Sequence, residues 1–311
     1  IYTLSLHDAL PISTSAVKAV KGSVVKPAGL SDVQVKGEEK NKDKDYEDVA
    51  DELAKQSGLS REEVDKALGG IEKSKLDNAI GLLKDFFAHG GQIINCATDA
   101  ISNILGDTIG KGVIALQALS NDIASGVFGK ESIKDGQIHT SMSAMNKVLK
   151  DNGKDSAGYG ISLEDFKEGL KEGESGILWV DGNHYVTVTK EKDGKFSVAD
   201  VNRNAGEKIT YSGEEFDKLM SGKEAMDVDG VTRGGYQVDA NDMKVLTDSE
   251  GIKEKASEGK AKVLSEEDME EIKGAKYVTR SVTRTRTETR VGIREEERTG
   301  TRSYTDEKGR G

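Results

Sequence analysis

The chain has 311 residues, with 45 basic and 56 acidic side chains, a formal net charge of -11 and 35% hydrophobic residues. Net acidity excludes general binding to a phosphate backbone, which takes basic surface, and no run of eighteen apolar residues supplies a membrane span. A single cysteine, Cys96, excludes an internal disulfide and a zinc finger.

The opening "IYTLSLHDALPIS", residues 1–13, fails as a targeting signal: it has no basic start, His7 and Asp8 interrupt the apolar run, and Pro11 breaks it. It resembles a translated sequencing adapter, so it is set aside as an artefact and the true N-terminus is expected to be missing. The compartment is then open, with acidity and the free thiol favouring a reducing cytoplasm. Residues 14–44 include "KGEEKNKDKD", have no periodic apolar face and are expected to form a disordered linker. Residues 45–89 read as a helical prelude. "DYEDVADELAKQSG" has a helical pattern, Ser60 and Glu63 make a capping box, and Leu76, Ile80, Leu83 and Phe87 form one stripe.

From residue 90 to 235 the pattern is that of an α+β domain. "NCATDAISNILG" is a helix with Cys96 at its start, where unpaired N–H groups and the helix dipole are expected to lower the thiol pKa. "TSMSAMNKVLKDNG" and "SLEDFKEGLKEG" give further helices, the latter capped by Ser162 with Asp165. The period then drops to two in "GILWV", "HYVTVTK", "FSVADVN" and "KITY", an antiparallel meander, before a short helix capped by Ser212 and Glu215.

Two registers are open to the hairpin "HYVTVTKEKDGKFSVADVN". A three-residue loop, Lys192 to Gly194 with Gly194 left-handed, pairs Val188 with Val198 and Lys190 with Phe196. That register keeps Val186, Val188, Phe196 and Val198 on one apolar face and makes His184 and Asp200 diagonal neighbours, which favours it over a two-residue turn. A histidine oriented by a carboxylate, together with a thiol at a helix start, is the pattern of a cysteine hydrolase.

The order helix-Cys, "LEDFKEGLKEGESGILWVDGNHYVTVTK", "GKFSVADVN" and "ITYSGEEFDKLMSG" resembles the papain-like cysteine peptidases that process bacteriocin precursors at double-glycine leaders, over residues 90–222. The resemblance implies a papain-like fold, with N-terminal helices carrying the nucleophile on a C-terminal antiparallel sheet. It implies Cys96 as nucleophile, His184 as general base and then acid, and Asp200 as orienter, without metal or cofactor. It also implies an oxyanion glutamine six residues before the cysteine. Gly90 stands there and Gln92 is the nearest candidate; Val201 follows Asp200 where the family commonly has proline.

Residues 236–275 read as an acidic linker carrying a short amphipathic helix, with Leu264, Met269 and Ile272 on one face and Ser265 with Asp268 as its capping box. The spacing resembles a double-glycine leader, with Gly274 and Ala275 as the small pair and cleavage expected after Ala275, in cis or between copies. The expected partner is a peptide or protein with such a leader helix, and an export transporter alongside it. Residues 276–311 form a tail in which "KYVTRSVTRTRTETRVGIREEERTGTRSY" is modestly basic, without the aromatics that would stack on bases. Two alternatives remain at this point: a cysteine-dependent amidase or acyltransferase of toxin type, and a non-catalytic module that binds a helix.

Overall fold

The computed structural model describes residues 35–275, apart from 107, 223–225 and 229–230. The adapter-like opening, residues 14–34 of the expected linker and the basic tail lie outside the described residues. Helices α1 (Val35–Ser57), α2 (Arg61–Leu68) and α3 (Lys73–Ala88) come first, then α4 (Cys96–Leu105) and α5 (Lys111–Ser125). Short strands β1 (Ile133–Lys134), β2 (Gln137–Ile138) and β3 (Thr140–Ser141) lead into α6 (Met142–Asp151), β4 (Ala157–Ile161) and α7 (Leu163–Gly169). The meander follows as β5 (Ser175–Val180), β6 (His184–Lys190), β7 (Phe196–Ala199) and β8 (Ile209–Tyr211), with α8 (Gly213–Ser221), β9 (Met226–Val228) and β10 (Val231–Arg233) after it. The described chain closes with β11 (Met243–Thr247), α9 (Glu250–Ser257), β12 (Ala261–Val263), α10 (Glu266–Glu271) and β13 (Lys273–Gly274).

The architecture is α+β, with a seven-stranded antiparallel sheet in the order β12-β4-β11-β5-β6-β7-β8. One face buries Val186, Val188, Phe196 and Val198 with Phe166, Phe216 and Ile252 of α7, α8 and α9. The other face buries Ile177, Tyr185 and Leu246 against α4 and α6. A third cluster joins the prelude to the rest through Leu53, Leu83, Phe86, Leu116 and Leu119. Helix α5 contributes to both of the last two clusters, with Ile114 and Ala118 on one side and Leu116 and Leu119 on the other. Buried on two sides, it has no single apolar stripe for a 3.6-residue period to reveal.

Two expectations about segments need correction. Residues 35–44 are helical rather than linker, the start of α1. Their sequence is polar but free of proline, and a helix nucleated by the burial of Val49, Ala50 and Leu53 extends at little cost through Lys and Glu. Residues 236–275 are not a linker either, and the domain does not stop at 235. Strand β11 lies between β4 and β5, with Val245 opposite both Tyr159 and Leu178, and β12 forms the edge beside β4. The acidic flanks belong to loops, while Met243, Val245 and Leu246 are fully buried.

Strand β3 is tied to α5 by Asp122, whose Oδ2 accepts from Ser141 N at 3.1 Å and whose Oδ1 accepts from Ser141 Oγ at 2.5 Å. Burial pushes this carboxyl up to about 6, against those hydrogen bonds and nearby Lys273, with Glu270 adding to the rise. A folded-state value above the ordinary one means stability that is full below about pH 4 and falls as pH rises through about 6, on the order of 3 kcal/mol. Urea midpoints at pH 5 and pH 7.5 should differ in that sense, and Asp122→Asn should flatten the difference. An equal slope in the variant would remove Asp122 as the cause.

Candidate functional site

Cys96 is the first residue of α4, and the residue before it sets the helix in place. Asn95 is extended and buried, and its Oδ1 accepts from Ala97 N at 3.0 Å and Thr98 N at 3.2 Å. Its Nδ2 donates to Ile138 O at 2.8 Å and Thr140 Oγ1 at 2.9 Å, pinning the helix start to β2 and β3. Further along α4, Thr187 Oγ1 donates to Ala100 O at 3.3 Å, so the helix lies across β6. The Cys96 sulfur meets the peptide N–H that joins His184 to Tyr185.

Burial pushes the Cys96 thiol up to about 12; the N–H groups of Tyr185 and Ala97 pull the other way, while the charges of Asp200 and Asp99 add to the rise. The expected lowering does not occur. Helix-start N–H groups stabilise a thiolate only if free to turn to it, and here Asn95 takes the Thr98 amide and shares that of Ala97, while Cys96 itself is 1% exposed.

The hairpin adopts the three-residue register, with Val188 opposite Val198 and Lys190 opposite Phe196. Both Asp193 and Gly194 are left-handed in the turn, at φ 58° and 70°. Strand β7 ends at Ala199, so Asp200 leaves the ladder and turns to the start of β6. His184 Nε2–H donates to Asp200 Oδ1 at 2.8 Å, with both residues buried. The other ring nitrogen, Nδ1, is buried and finds no hydrogen-bond partner among the described residues. With Nε2 carrying the proton, a neutral ring keeps the Nδ1 lone pair as its basic position.

Asp200 is held by three groups that no sequence motif marks. Tyr236 Oη donates to Oδ2 at 2.5 Å, Arg203 Nε lies 3.3 Å from the same oxygen, and Asn202 N donates to Oδ1 at 2.8 Å. The Arg203 guanidinium also stacks over the Tyr236 ring at 4.0 Å. Burial works against the Asp200 charge, but His184, Tyr236 and Asn202 together hold its carboxyl below the usual range. Tyr236→Phe keeps the ring and removes one donor to a buried carboxylate. It should lower the unfolding free energy by about 2 kcal/mol in urea titration; an unchanged midpoint would mean that Arg203 and Asn202 suffice.

Gln92 is exposed and makes a backbone bridge to Gln137. The structure brings Cys96, His184 and Asp200 to one end of β6 and does not bring the Gln92 side chain into that buried group. His89 caps α3 through Nδ1 and Asp85 O at 2.8 Å. His139 is half-buried, lowered in pKa by that burial, and lines a cleft of about 470 Å³ with Trp179, Asn183, Glu271 and Lys273. Among the described residues no group of three or more His, Cys, Asp or Glu is placed to hold a metal ion, and no helix is long and apolar enough to cross a membrane.

The three anchors of the leader-like segment are buried in the cluster that contains Cys96. Leu264, Met269 and Ile272 are 5–6% exposed, packed with Ala97, Met142, Met145 and Tyr185. Beyond them β13 pairs with β3, Lys273 opposite Ser141 and Gly274 opposite Thr140. The Ala275 amide donates to Asn183 O at 3.0 Å, one residue before His184. Comparison of the chain with protein-family models, with curated proteins and with solved structures gives no match.

Proposed function

We propose that the protein is a cysteine peptidase of papain-like arrangement that cuts after a small-residue pair. The observation that carries this reading is the buried His184–Asp200 pair with an unpartnered Nδ1, one peptide bond from the N–H that meets the Cys96 sulfur. In this mechanism Nδ1 takes the thiol proton as sulfur attacks a carbonyl carbon, and Asp200 stabilises the imidazolium that forms. The imidazolium then protonates the departing amine, leaving a thioester. Water, deprotonated by Nδ1, hydrolyses that thioester and restores the thiol. A thiol at about 12 is ionised at pH 7 in only about one molecule in 10⁵, so proton transfer to Nδ1 must accompany attack.

Gln92, being exposed, is left out of this scheme. The Ala97 amide, already shared between Asn95 Oδ1 and the Cys96 sulfur, would have to leave Asn95 to serve an oxyanion there.

A second reading is favoured by the same burial. A neutral, 1% exposed cysteine is what a packing residue looks like, and the domain would then be a module that holds an amphipathic helix without cutting it. Intact mass separates the two. The natural chain and a His184→Ala chain are incubated at pH 7, each with and without an added peptide spanning residues 264–280. Loss of residues 276–311, or cutting of the peptide, by the natural chain alone supports the peptidase. If neither polypeptide changes mass with the natural chain, the peptidase reading falls and the helix-holding module stands.

A further inference from the structure

Met269 and Leu264 are seated on β4 at a position with no side chain. A Cβ on Gly158 would come within 2.7 Å of Met269 Sδ and 3.3 Å of Leu264 Cδ1, and Leu264 N donates to Gly158 O at 2.9 Å. Glu266 accepts a hydrogen bond from Ser143 of α6. Ile272 O takes hydrogen bonds from Met142 N at 2.8 Å and from Tyr185 Oη at 2.8 Å, and Trp179 Nε1 donates to Lys273 O at 2.9 Å. Gly274 lies flat on the Tyr185 ring: a Cβ there would be 2.6 Å from Cε2 and 2.7 Å from Cδ2. Every carbonyl and amide named here is read by the domain as it would read a bound peptide, and the run ends at Ala275 beside the residue that precedes His184.

This peptide cannot leave. Its N-terminal end continues directly from β12, the edge strand beside β4, and β12 is joined through α9 to β11, the strand held between β4 and β5. Withdrawing residues 264–275 leaves their grooves open to solvent while their covalent attachment holds them close by, so rebinding competes as an intramolecular event at millimolar or higher effective concentration. Admission of an external leader requires local unfolding of that segment first.

We propose that the site has one substrate, its own chain: Cys96 cuts once, after Ala275, and residues 264–275 then remain as a bound product that closes the site to any other peptide. This rests on the peptidase reading above. Cys96 Sγ bonds to the Ala275 carbonyl carbon, the Ala275–Lys276 C–N bond breaks, and the amine of Lys276 leaves with the proton from His184. Water supplies the oxygen that converts the thioester to the Ala275 carboxylate. The cleft of about 470 Å³ bordered by Asn183 and Lys273 brings solvent to this end of the segment.

The test mixes natural chain with isotope-labelled Cys96→Ala chain at a tenfold range of concentration, and follows intact masses with the 264–280 peptide also present. The expected result is loss of residues 276–311 from the natural chain at a rate independent of concentration. The labelled partner and the free peptide should be cut at least 100-fold more slowly. Cutting of the labelled chain or the peptide at a comparable rate would overturn the single-substrate proposal while leaving a peptidase. No cutting of anything would overturn both, and the His184→Ala control tells cleavage by this site from cleavage by a contaminant.

Discussion

Incubated at neutral pH, a Cys96→Ala chain should keep residues 276–311 indefinitely while the natural chain sheds them, a fall in rate of at least about 10⁴-fold. The size of the effect follows from what the thiol does. In the proposed mechanism no covalent intermediate forms without sulfur, and His184 with Asp200 can only assist direct attack by water on the carbonyl of Ala275, a buried residue just beyond β13. The substitution is small, since Cys96 is packed among Ala97, Ala100 and Ile101, and a methyl side chain there removes one atom from a well-filled site. Fold and stability should therefore survive, and circular dichroism with a urea titration checks that they do. A Cys96→Ala chain that sheds its tail at the natural rate would assign the cut to another agent.

Replacing Gly274 should have the second-largest effect. The Tyr185 ring beneath it has nowhere to go: its hydroxyl is shared between Ile272 O at 2.8 Å and Thr140 O at 3.2 Å, and the ring is 1% exposed. Any Cβ at 274 meets that ring well inside contact distance, so even Gly274→Ala must lift the strand or push the tyrosine. Gly274→Val should lift it completely. Overpacking of this kind costs about 1–3 kcal/mol, and displacement of the Ala275 carbonyl by about 1 Å should slow tail loss about 100-fold. Both show in the same samples, as a lower urea midpoint and a slower mass change. A Gly274→Val chain that cuts itself at the natural rate would mean that the carbonyl presented to Cys96 is not the one after Gly274.

The sequence was legible where a local pattern and a buried face agree. The capping boxes at Ser60, Ser212 and Ser265 start α2, α8 and α10 because each pairs a hydroxyl with a carboxylate three residues on. The β6–β7 register was readable because only one alignment puts Val186, Val188, Phe196 and Val198 on the same side, and the His184–Asp200 contact comes with it. What escaped depends on groups distant in the chain. Strand β4, "AGYGI", carries little strand signal, because glycine is depleted from strands. In the fold Gly158 makes room for Met269, and Gly160 for Asp242. Tyr236 and Arg203 carry no motif and become visible only where Asp200 needs donors. The thiol pKa was misjudged for a related reason: a helix start was read without the asparagine that occupies its amides or the depth at which it is buried.

Strand β11 carries a consequence for the order in which the molecule is made. Cys96, His184 and Asp200 have all been synthesised before Met243, yet the strand that joins β4 to β5 is still to come. Until it arrives, β5 to β8 stop at an open edge of unpaired backbone groups on β5, and β4 has no ladder partner, since β12 is also still to come. Completing the sheet joins strands far apart in sequence, the kind of contact that forms slowly. The growing chain thus carries Cys96, His184 and Asp200 for some time without a finished sheet to hold them. Residues 264–275 come later still, after α9 and β12, so the segment packed beside Cys96 is the last of the described elements to be made.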